Sequence, residues 1–78
     1  MIDYDALENL ILSHLPDAQI GIFDRTGTMD HFNLTVRSQA FKGKTLIEQH
    51  QLVYGALRDA LRDGRVHAVE LKTVVPDY

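Results

Sequence analysis

The strongest constraint on the fold of this chain is an amphipathic helical pattern set between strand-like runs. From about Leu46 to Arg62, at about 100° per residue, Leu46, Val53, Leu57, Ala60 and Leu61 fall in one arc, with His50 near its middle. Glu48, Gln51, Arg58, Asp59 and Arg62 fall opposite. Before it, "AQIGIFD" alternates Ala18, Ile20 and Ile22 against Gln19, Gly21 and Phe23, and "HFNLTVRS" alternates Phe32, Leu34 and Val36 against His31, Asn33, Thr35 and Arg37. After it, "VHAVELKTV" reads as a third strand. A strand, a helix and a strand in one small sheet require a parallel pairing with a right-handed crossover. The first two strands pair antiparallel across the polar loop "DRTGTMD", expected to be mobile and a candidate for function.

Residues 3 to 15 predict a further helix, with Asp3 as N-cap and Tyr4, Leu7, Leu10, Ile11 and Leu15 on one face; Pro16 ends it. His14, in its last turn, reads as structural, facing the negative end of the helix dipole. The fold class is therefore α+β: a two-layer α-β-β-α-β domain in which two helices cover one face of a three-stranded mixed sheet. The face carrying His31, Asn33, Thr35 and Arg37 is left to water. Residues 1–78 form a single domain, since a chain this short has room for one core only.

The chain has no cysteine, so no disulfide staples it, and stability must come from regular, well-patterned elements. The same absence leaves only imidazoles and carboxylates for metals, and an iron-sulfur cluster normally takes thiolates. An apolar share of 45% and a charged share of 24% suit a folded domain rather than a disordered one. A formal net charge of -3 argues against a nonspecific polyanion binder. No apolar run approaches a membrane span and "MIDYDALENL" lacks signal-peptide regions, which makes the cytoplasm the expected location.

Smaller signals refine the helix from Leu46 to Arg62. "SQAFKGKT" reads as a turn, with Gly43 supplying backbone freedom and Thr45 the N-cap, and "RDGR" supplies a basic last turn and a C-terminal glycine. Gly55 falls on the polar face, marking either a close backbone approach or a locally weak helix. Leu52 points away from the core, and Tyr54 reads as a packing residue. His50 reads as a partly buried side chain satisfied by a hydrogen bond.

Three ordered stretches carry a resemblance. "HFNLTVRSQAFKGKT", "HQLVYGAL" and "VHAVELKTVVP" together resemble the BolA family, and within it the short BolA-like or IbaG-like form. The resemblance implies a non-enzymatic adaptor or regulator that pairs with a monothiol glutaredoxin and shares a [2Fe-2S] cluster held partly by glutathione, in iron regulation or cluster trafficking, with no cofactor expected in the isolated chain. It also implies a topology like that of class II KH domains. The family's histidine in the third strand corresponds to His67, the implied cluster ligand. The family takes a second ligand from the loop between the first two strands; here Arg25 to Asp30 holds neither cysteine nor histidine, and His31 directly after it is the candidate.

Nucleic-acid binding is the alternative function, through Arg37, Lys42, Lys44 and His50 on a KH-like or helix-turn-helix surface. Glu48, Gln49 and Gln51 stand where many members carry arginines, and "FKGKT" lacks paired glycines, so such binding is expected to be weak. A homodimer is open to the free chain. Catalysis is set aside, because Ser13, Ser38 and the carboxylates show no nucleophile-base pattern. A zinc site from His31, His50 and His67 lacks the usual ligand spacing.

Overall fold

The computed structural model describes residues 1–77. The elements run α1 (Tyr4–Leu12), β1 (Gln19–Asp24), β2 (His31–Arg37), a 3₁₀ turn (Gln39–Phe41), α2 (Leu46–Arg62) and β3 (Ala68–Val74). The sheet order is β1-β2-β3, with β1 and β2 antiparallel and β2 and β3 parallel, as a strand-helix-strand crossover demands. No described helix is long and apolar enough to cross a membrane.

β2 is the central strand and its alternation is the sharpest: Phe32, Leu34 and Val36 are buried, while Asn33 and Thr35 are exposed. Leu7 and Ile11 of α1 and Val53, Ala56, Leu57 and Ala60 of α2 close over that face, joined by Leu15, Phe41 and Val66. The opposite face stays open, and Phe23 stands on it 63% exposed.

α1 stops three residues short of the expected end. The Ser13 hydroxyl donates to the Leu10 carbonyl, competing with the helix ladder, and Pro16 disfavours helical backbone at the residue before it. His14 thus lies beyond the helix, exposed, with its Nδ1 3.1 Å from Ser13 Oγ. Tyr4, expected on the buried face, is 44% exposed and meets Phe32 edge-on. Asp3 is the N-cap, its carboxylate accepting from Ala6 N.

α2 begins at a full capping box: Thr45 Oγ1 accepts from Glu48 N, and Glu48 Oε1 accepts from Thr45 N. Leu46 is not a core residue. It lies a turn ahead of the first buried position, Gln49, and is exposed together with Ile47. Leu52 departs from expectation in the other direction, flanking the buried stripe and packing against the core. Tyr54 is partly exposed and meets His50 edge-on. No atom lies within 4 Å of where a Cβ on Gly55 would sit, so no backbone approaches it. Gln49, polar yet buried, joins layers: its Nε2 donates to the Lys44 carbonyl and its Oε1 accepts from the Thr73 hydroxyl of β3.

Candidate metal centre at the joined strand starts

Parallel pairing sets the beginnings of β2 and β3 side by side, with His31 opposite Ala68. The Asp30 carbonyl accepts from both His67 N (2.7 Å) and Ala68 N (3.2 Å), fixing the entry of β3 against the entry of β2. His31 and His67, remote in sequence, therefore meet at one end of the sheet. Their ring centroids are 5.6 Å apart and nearly perpendicular.

The loop before them is braced from within. Asp24 Oδ1 accepts from Thr26 N and Gly27 N, and Oδ2 accepts from Met29 N. Met29 adopts φ of 60°, an uncommon conformation for a residue with a side chain, while its side chain packs on the core and its carbonyl accepts from Ile2 N. This tight return delivers Asp30 beneath both imidazoles.

Asp30 is the member of the site that sequence reasoning missed, since a loop aspartate before a strand carries no periodic signal. Its Oδ1 lies 2.8 Å from His31 Nδ1 and its Oδ2 lies 3.3 Å from His67 Nδ1. The Thr28 hydroxyl also donates to Oδ1. That hydroxyl first, and the His31 ring second, hold the Asp30 carboxyl below the usual carboxylate range. Asp30, His31 and His67 each offer a donor atom within 4.8 Å of the others'. His50 is not part of the group.

The donor chemistry fits part of a metal centre. Two neighbouring imidazoles are donors suited to iron, but a chain without thiols supplies too few soft donors to hold an iron-sulfur cluster alone. The His67 side chain is 54% exposed. Its Nε2 lies beside the turn that follows α2, 3.8 Å from where a Cβ on Gly64 would stand, an ordinary contact distance.

The residues of the alternative nucleic-acid surface are spread over several elements. Arg37 ends β2 with its guanidinium 3.6 Å from Asp77, Lys42 and Lys44 flank Gly43 in the connection, and His50 sits in the second turn of α2. The Thr45 amide first and the Thr45 hydroxyl second, with Lys44 the least of the causes, hold the Glu48 carboxyl below its usual range.

Residues 7–78 match the family model described as BolA-like protein, and the chain belongs to that family. It is 34% identical over 73 residues to the Rickettsia prowazekii protein RP812, covering 94% of each chain; the solution structure of that protein, described as BolA-like, superimposes with a TM-score of 0.73. The acid stress protein IbaG of Escherichia coli is 33% identical over 51 residues, which are 65% of this chain and 61% of that one. The chloroplastic and mitochondrial SufE-like protein 1 of Arabidopsis thaliana is 44% identical over 46 residues, 59% of this chain but only 12% of that protein. The BolA domain of SufE1 from the same plant aligns with 97% of this chain and 96% of its own at a TM-score of 0.79 and 27% identity.

Proposed function

We propose that this chain is a non-enzymatic adaptor of iron-sulfur biology, which pairs with a monothiol glutaredoxin and offers His67, with His31, as nitrogen ligands to a shared [2Fe-2S] cluster. The observation that carries this reading is the meeting of His31 and His67 at the joined strand starts, in a family member that has no thiol of its own. An incomplete donor set at an exposed edge suits a site finished by a second protein. Thiolates of glutaredoxin and glutathione would complete it, and the shared cluster would supply electron-accepting iron with a potential raised by neutral nitrogen ligands, as in Rieske centres. The chain's own task is to hold two imidazoles in place and to present the surrounding surface to the partner. The Asp30 carbonyl anchors the backbone at His67.

The test is reconstitution with a monothiol glutaredoxin and glutathione, read by visible circular dichroism. His67→Ala removes one exposed ring, so folding survives while the mixed-complex spectrum is altered or lost. His31→Ala weakens the complex if it supplies the second ligand, and His14→Ala, on an exposed turn, leaves the spectrum untouched. An unchanged spectrum from His67→Ala would overturn the ligand assignment.

A further inference from the structure

We propose that Asp30 is a positioning residue: its carboxylate accepts from His31 Nδ1 and lies at ion-pair distance from His67 Nδ1, favouring the Nδ1–H tautomer of each ring and leaving its Nε2 for a metal. The inference deepens the reading above and rests on His31 and His67 being the ligands.

The argument begins with the inventory of a carboxylate. An ionised carboxylate only accepts hydrogen bonds. At 2.8 Å from Asp30 Oδ1, His31 Nδ1 must therefore carry the proton, and a neutral ring so held has its lone pair on Nε2. The second oxygen lies 3.3 Å from His67 Nδ1, an electrostatic contact that favours a proton on that nitrogen too. The alternative tautomer of His31 would aim a lone pair at a negative charge, and that of His67 would set one 3.3 Å from it. Burial supports the assignment: the Asp30 side chain is 18% exposed beneath rings that are 37% and 54% exposed, so the carboxylate lies inward and the rings outward. Thr28 closes the remaining approach by donating to the oxygen shared with His31.

A carboxylate behind a ligating histidine fixes ring orientation and raises ligand basicity, and losing it costs about 10- to 100-fold in metal affinity. Here one carboxylate serves two rings. It also ties their orientations together, since the loop return through Met29 that places Asp30 places both contacts at once.

The decisive experiment needs no metal. Long-range proton–nitrogen correlation spectra of the free folded chain, at a pH where the rings are neutral, report which nitrogen of each histidine bears the proton. His31 and His67 should show the Nδ1–H form, with His50, whose ring meets Tyr54 rather than a carboxylate, as the internal reference. Asp30→Ala should return both rings to the Nε2–H form. Asp30→Asn keeps an acceptor oxygen and should retain Nδ1–H at His31, which separates positioning from mere occupancy of space. Predominantly Nε2–H rings in the native chain, or tautomers unchanged in a folded Asp30→Ala variant, would overturn the proposal. A second measurement follows loss of the cluster from the complex with a monothiol glutaredoxin, where Asp30→Ala should release it about 10- to 100-fold more readily than the native chain. Should the native chain show the expected tautomers yet form no such complex, the adaptor reading fails while the role of Asp30 in setting the rings stands.

Discussion

A single carboxylate, Asp17, joins two connections that the chain order keeps apart. It accepts from the Ser38 hydroxyl at 2.7 Å and from Gln39 N at 2.8 Å, linking the turn before β1 to the turn after β2. The Ser38 hydroxyl chiefly, and the Gln39 amide next, hold its carboxyl below the ordinary 3.8. A folded-state value below the unfolded one stabilises the fold above the unfolded value, and that contribution is lost as pH falls through the folded one. Asp17→Asn should therefore flatten the acid-side loss of stability below about pH 4, measured as denaturant midpoints across a pH series. Identical acid profiles for the two chains would refute the link. At this scale the sequence exposes His67 and His31, because their places in recognisable strand motifs mark them. It hides Asp17, Asp30 and Gln49, whose roles depend on which distant atom ends up within about 3 Å.

α2 shows how far periodicity reaches. The buried stripe of Gln49, Val53, Ala56, Leu57 and Ala60 follows the three- and four-residue spacing of a helix, and Thr45 and Glu48 close its start. Periodicity gives the direction of a face but not where the covering layer ends, so Leu46 lies outside the core and Leu52 at its flank. Gly55 is the weak point: it lies mid-helix with open space around it, in an exposed groove lined by Gln51, Tyr54, Arg58, Leu61 and Arg62. Gly55→Ala should stabilise the chain by about 1 kcal/mol, raising the unfolding temperature by about 4–8 °C for a domain of this size. A lowered midpoint in thermal unfolding would show that the position carries a constraint the packing does not reveal.

Over the whole molecule, charge and topology act together. The net charge is -3 and Arg37 faces Asp77, so the cation at the end of β2 is partly neutralised where it stands. Duplex DNA should accordingly bind weakly, and steeply more weakly as salt rises. Titration at two salt concentrations decides this: submicromolar affinity that survives physiological salt, and is lost on changing Arg37, Lys42 and Lys44, would make nucleic-acid binding the better reading. The parallel pairing of β2 with β3 sets the candidate site. It carries the end of the crossover back beside the start of β2, which is how one corner of a 35 × 20 × 19 Å molecule comes to hold two histidines and a carboxylate.

The amino-acid sequence by itself determined the element order, the antiparallel and parallel pairings and the covered face of the sheet, because alternation, helical spacing, caps and the handedness of crossovers are local or nearly local properties, and its three ordered motifs carried the resemblance to the family. Only the tertiary structure decided that Asp30 lies under both His31 and His67 and that Gln49 spans from Lys44 to Thr73. The physical reason is register. In a strand pair, a slip of one residue turns every side chain to the other face, so contacts between distant residues exist only once β2 and β3 have settled with His31 opposite Ala68.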